Sequence, residues 1–163
     1  MSDKVEFVLR TVLIGAGATL VMDGWALVLR WFGIPSLNFA LRQLPRGTWV
    51  HASIARDAPV RGERLIGWSA HYAIGITFAA LLLSMFGLKW ARSPSVLPAL
   101  VIGIVTVVAP LLILQPALGA GIASSRTAHP VLNSMKSLLI HTVYGLGLYL
   151  AALVTASLFT AGR

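Results

Sequence analysis

Four long apolar runs constrain this chain more than any other feature. They cover about residues 11–32, 66–88, 96–118 and 138–159. Each is long enough to cross a hydrocarbon layer of ~30 Å, which takes about 20 helical residues. Lipid offers no partner to backbone N–H and C=O groups, so a spanning segment is a helix or a strand of a closed barrel. The runs are continuous rather than alternating, which predicts helices. Polar interruptions are few: Asp23 and Arg30 in the first run, His71 in the second and His141 near the start of the fourth. Pro110 sits inside the third and is expected to kink or loosen it. The first run is too long, and too broken by Asp23, for a cleaved signal peptide, so it is read as a retained helix.

Composition agrees with these runs. Charged residues make up 11 % of the chain and hydrophobic residues 57 %, against roughly 25 % charged in an average soluble domain. Such a chain cannot cover its surface with polar groups. This excludes a soluble enzyme, a disordered tail and a nucleic-acid-binding domain. Cysteine is absent, which removes disulfides, thiolate metal sites and thiol nucleophiles. The net charge of +8 is explained by basic residues flanking spans and meeting anionic headgroups, so no nucleic-acid partner is expected.

The predicted fold is therefore all-α and integral to a membrane. It is a single membrane domain over residues 1–163, an up-down bundle of four transmembrane helices. The expected partner is the lipid bilayer, with a homo-oligomer or a larger membrane complex beyond it. Between the first two helices lies a long polar loop, residues 33–65. Within it, Pro35 and Ser36 precede Leu37, Ala40, Leu41 and Leu44, which predicts a short interfacial helix. Residues Lys89–Pro94 predict a short turn between the second and third helices. Eight basic residues lie on the long-loop side against five on the other, which favours the long loop in the cytoplasm.

This topology gathers the polar residues at one end. Asp23 lies roughly 13 Å below the long-loop surface. His71 and His141 lie near the starts of their helices on the same side, and Gln115 near the end of the third. Asp23, His71, Gln115 and His141 are the candidate ligand or proton-relay residues. His51, Glu63, Ser124, Arg126 and His129 are the candidates in the adjoining connections. An aspartate at mid-span costs about 2.5–3.5 kcal/mol on an insertion scale, so Asp23 should face a partner. A simple interhelical hydrogen bond would serve as well as a functional role.

Two segments share a His-x-x-x-Gly pattern: His71-Tyr-Ala-Ile-Gly75 and His141-Thr-Val-Tyr-Gly145. This resembles a repeated hairpin, with both imidazoles at similar depth. Imidazole ligates transition metals, and two opposed imidazoles can clamp a haem iron. Asp23 with His71 and His141 would complete a two-histidine, one-carboxylate metal set. The glycines would give a flat cofactor room, although tight helix packing is the commoner use of such glycines. Gly119, Gly121, Ser124, Ser125 and Arg126 could form an anion nest, although such a string more often makes a turn. Ser124 has no base near it in the sequence, which leaves no serine-hydrolase reading.

The strings GATLVMDGWALVLRWFGIPSLNFALRQL, GERLIGWSAHYAIGITFA, QPALGAGIASSR and HTVYGLGLYLAAL span nearly the whole chain. They resemble an uncharacterised family of small bacterial inner-membrane proteins, a domain of unknown function similar in outline to YagU-type four-helix proteins. That resemblance implies a multi-pass protein of the bacterial inner (cytoplasmic) membrane and implies no activity. Three functions stay open. The leading one is a membrane redox or accessory protein binding a transition metal or haem. The others are a small proton-coupled transporter or channel-like oligomer, and a structural subunit of a larger membrane complex.

Overall fold

The computed structural model describes residues 2–32 and 63–161. The amphipathic segment expected at 35–44 and the candidate His51 lie outside the described residues. Among the described residues there is no strand. Helix α1 runs Asp3–Trp31, α2 Glu63–Arg92 and α3 Val96–Val105. After α3 come a turn, a π-helical turn at Pro110–Leu114 and the short α4, Gln115–Ala117. A 3-10 turn at Ile122–Ser124 leads to α5, Pro130–Ala161. Four helical stretches are long and apolar enough to cross a membrane: Asp3–Leu29, Leu65–Arg92, Val96–Ala117 and Pro130–Thr160.

The helices alternate in direction. Near the start of α1, Arg10 meets Ala91 at the end of α2 and Phe159 at the end of α5. Near the end of α1, Asp23 meets His71 in the first part of α2. Helix α5 is the hub, packed along α1 and α3, while α2 lies mainly against α1.

Small residues set these packings. Apolar side chains gain little by leaving lipid for another apolar surface, so helix association there rests on close contact. Helices α1 and α2 cross at Gly15 and Gly75, where a methyl group on Gly15 would lie 3.0 Å from the Gly75 carbonyl oxygen. Helices α3 and α5 cross at Gly103 and Gly145, where a methyl on Gly145 would lie 3.0 Å from the Ala99 carbonyl oxygen. Helices α1 and α5 cross at Gly147, 2.9 Å from the Ala18 carbonyl oxygen by the same construction. Both glycines of the repeated His-x-x-x-Gly pattern thus serve helix contact, not room for a flat cofactor.

The interior between the ends is apolar and closed, with Ile14, Ala18, Ala79, Leu82, Leu83 and Leu148 buried. The outer faces are apolar too: Leu20, Leu27 and Leu158 are each 60 % exposed or more.

The helices outrun the apolar stretches that announced them. Helix α1 begins at Asp3 rather than residue 11, because Glu6 and Arg10 are buried in ion pairs. Helix α2 continues through Arg92, past a bend at Gly87, so the turn expected at Lys89–Pro94 shrinks to Ser93–Ser95. Helix α5 starts at Pro130, where a missing N–H costs a helix nothing. The disturbance expected at Pro110 is present. The α-helix stops at Val105 and resumes as a π-helical turn, closed by the Gln115 N–H donating to the Pro110 carbonyl.

Crowding at the α3–α5 crossing gives a direct test. Gly145→Leu overpacks that contact and should lower stability in detergent by about 1–3 kcal/mol. Gly24, with nothing within 4 Å of an added methyl, should accept leucine with wild-type stability. Thermal unfolding of the two purified variants measures the difference.

Candidate functional site

Asp23 has its partners on α2. Its Oδ1 lies 3.0 Å from His71 Nε2, and its Oδ2 accepts a hydrogen bond from the Tyr72 hydroxyl at 3.2 Å. His71 and Tyr72 are consecutive in a helix, so their side chains diverge and hold the carboxylate from two sides. Trp68, one turn earlier, covers both rings, with centroids 5.9 Å from His71 and 6.0 Å from Tyr72. With the carboxylate ionised, His71 Nε2 must carry the hydrogen, because a carboxylate only accepts. The side chains are one fifth exposed, 19 % for His71 and 21 % for Asp23. The pair is thus only partly covered by the neighbouring helices. Chemically the cluster can hold one proton on either partner, as an ion pair or as a neutral pair.

His141 belongs to a different place. Its Nδ1 lies 3.1 Å from Thr106 Oγ1 and 3.3 Å from the Gly103 carbonyl oxygen. The Thr106 hydroxyl donates its own hydrogen to the Gly103 carbonyl at 2.8 Å. Thr106 therefore accepts from the imidazole, which puts a hydrogen on Nδ1. The ring packs near Phe78, centroids 6.4 Å apart. Phe78 is seven residues beyond His71, roughly 10 Å of helix rise. His141 is the twelfth residue of α5 and His71 the ninth of α2, and the two rings meet different neighbours.

Gln115 forms a third, separate group. Its amide nitrogen donates to Ser137 Oγ at 3.1 Å, and its Oε1 accepts from the Ser124 hydroxyl at 3.0 Å. All three side chains are buried. The knot ties the connection after α4 onto α5, and it holds Ala123 and Ser124 at φ 49° and 60°, a conformation L-residues rarely adopt. Ser134 reinforces it by donating to the Ala123 carbonyl. The backbone N–H groups of residues 124–127 all bond to carbonyls within residues 120–124. These four N–H groups are spent within the turn itself. Ser124 Oγ is occupied by Gln115. Arg126 and His129 have exposed side chains in the same connection, and Glu63 is the first residue of α2.

The four central candidates therefore fall into three groups rather than one pocket. Asp23 and His71 come together; His141 and Gln115 do not join them. Among the described residues no three of histidine, aspartate, glutamate and cysteine gather where a metal ion could be held. The expected set of Asp23, His71 and His141 is not assembled, because His71 bonds Asp23 across the α1–α2 contact whereas His141 bonds Thr106 and Gly103 across the α3–α5 contact.

A fourth polar cluster, at the opposite end, was not anticipated. Glu6 Oε1 accepts from Arg10 Nε at 2.8 Å and from Arg92 Nε at 3.0 Å. Its Oε2 accepts from Arg92 at 2.7 Å, and Arg92 also reaches Asp3 at 3.0 Å. Arg10 donates to the Ala91 carbonyl at 2.8 Å and lies over the Phe159 ring. The signal was present: Asp3, Glu6 and Arg10 follow three- and four-residue spacing on one helix face. Tyr72 was likewise legible only as the neighbour of His71.

No curated protein and no solved structure matches this chain. A family model does, over residues 12–155, and its description carries neither a source organism nor a likeness to YagU-type proteins. The chain belongs to the family described as Protein of unknown function (DUF2938).

Proposed function

We propose that this is a multi-pass protein of a bacterial inner membrane, a small transporter in which protonation of the Asp23–His71–Tyr72 cluster is coupled to movement of a small solute. The observation that carries this reading is the pairing of Asp23, a carboxylate in an apolar helix, with an imidazole and a phenol.

The choice of partner is informative. A buried carboxylate needs compensation wherever it sits. At the opposite end the chain compensates Glu6 with two arginines, which stay charged at every physiological pH. Asp23 is compensated by histidine, the side chain whose charge changes nearest neutral pH. Packing alone would be served equally well by arginine. A histidine partner lets a single proton switch the pair between charged and neutral, and partial exposure gives that proton a way in. The metal or haem reading draws less support, because among the described residues no three histidine, cysteine, aspartate or glutamate side chains gather. The structural-subunit reading predicts that the cluster can be neutralised without functional loss, and the same experiment tests it.

Purified protein reconstituted in liposomes with an internal pH-sensitive dye should take up protons when a pH gradient and candidate solutes are applied. Asp23→Asn keeps the shape and removes the titrating group, and should bring flux to the level of empty liposomes. Wild-type liposomes that show no proton uptake would remove the transport reading. Wild-type flux that survives Asp23→Asn unchanged would remove Asp23 from it.

Tyr72→Phe gives a graded outcome. It deletes one hydrogen bond to the carboxylate, worth about 1 kcal/mol, or roughly a fivefold change in an equilibrium. Flux should fall by a similar factor, measured at equal reconstituted protein.

A further inference from the structure

The bend in α2 is not forced by crowding at Gly87. Gly87 sits at φ 70°, ψ 178°, a backbone region essentially restricted to glycine. A methyl group added there would meet nothing within 4 Å, so glycine is required by the bend alone. Beyond it lie Leu88–Arg92, which hold that end of the bundle. The Ala91 carbonyl accepts from Arg10, and Arg92 forks onto Glu6 and Asp3. Trp90 and Ala91 are buried by this arrangement, and Glu6 and Arg10 are only 3 % exposed within the first turns of α1. The outer side of the cluster is open, with Arg92 at 44 % and Asp3 at 82 %.

We infer that the last turn of α2 is a gate: Leu88–Arg92 swing about Gly87 and latch onto α1 through Arg92–Glu6 and Ala91–Arg10, closing the bundle end opposite Asp23. Glycine moves between this bent conformation and a helical one at little cost, so α2 has a bent and a straight form. The bent form gains the ion pairs. The straight form returns the charges to water, and the two effects oppose each other closely for ions near a surface. Arg10 and Asp23 are thirteen residues apart on α1, roughly 20 Å. The apolar core lies between them, so a path through the bundle needs both ends to open in turn. As a gate for solute this deepens the transport reading and rests on it; as a moving segment it can be measured without it.

The chain has no cysteine, so a single reporter can be introduced cleanly. Ala91→Cys places a thiol where the side chain is 0 % exposed. Its reaction with a water-soluble maleimide, in purified detergent-solubilised protein, should be slow. Arg92→Gln removes the fork onto Glu6, and Gly87→Ala penalises the bent backbone without a clash. Each should raise the labelling rate of Ala91→Cys at least tenfold. A second reporter, Ala152→Cys, also 0 % exposed, should stay slow in both backgrounds. Unchanged labelling at position 91 in both variants would overturn the gate. So would equal acceleration at 152, which would show the bundle loosening as one body. Absence of proton flux from wild-type liposomes would remove the transport reading and leave the labelling result standing, so the two failures are separable.

Discussion

Helices α1 and α5 approach so closely at Gly147 that a methyl group there would press on the Ala18 backbone, and the rest of the bundle is built outward from this contact. Helix α5 carries α3 on its other side through Gly103 and Gly145, while α1 carries α2 through Gly15 and Gly75. Glycine contacts fix register as well as distance, because only one alignment brings the small residues opposite each other. Once Gly15 faces Gly75, the end of α1 and the first half of α2 must run side by side. Asp23 then meets His71 and Tyr72, two turns along α1 from Gly15 and one turn before Gly75. The polar cluster is thus a consequence of where the glycines sit.

The two ends of this α1–α2 pair solve the same problem with different chemistry. Each takes an acidic side chain off α1 and supplies compensation from α2. One end uses arginine and fixed charge, in a forked arrangement that leaves Glu6 no unpaired oxygen. The other uses imidazole and phenol, whose charge depends on a proton. A protein needing only cohesion gains nothing from the second solution, since a protonatable partner holds a carboxylate more weakly than a permanent cation. The difference is the main physical reason for reading one end as mechanism and the other as closure.

The four helices were legible because their central residues are uncharged over lengths that admit little else. Their ends were not. Apolar runs mark where lipid-like surroundings are expected, whereas a helix continues as long as its polar side chains find partners. Asp3 and Glu6 extend α1 by pairing with Arg92 and Arg10 by pairing with Glu6, while Asn133 and Ser134 extend α5 through bonds to the preceding turn and Ser137 through one to Gln115. Asp23 and His71 were legible as members of one candidate group at the same end of adjacent helices, but their pairing was not singled out. Gln115 was legible as buried and polar, but its partners Ser124 and Ser137 depend on a turn with two left-handed residues, Ala123 and Ser124. Sequence offers no warning of such a turn at non-glycine positions.

The repeated His-x-x-x-Gly pattern shows how one scaffold can carry two different sites. In both hairpins the glycine crosses a glycine of the preceding helix, Gly75 on Gly15 and Gly145 on Gly103. In both, the histidine one turn earlier turns toward that preceding helix. The partner it finds there differs. His71 meets the Asp23 carboxylate, whereas His141 meets the Thr106 hydroxyl and a backbone carbonyl. The Thr106 hydroxyl donates to Gly103 and accepts from His141, which closes α3 onto α5. The same backbone geometry thus yields a contact with a hydroxyl in one half and with a carboxylate in the other. What distinguishes the two sites is one residue of the first helix, Asp23, and not the histidine pattern that they share.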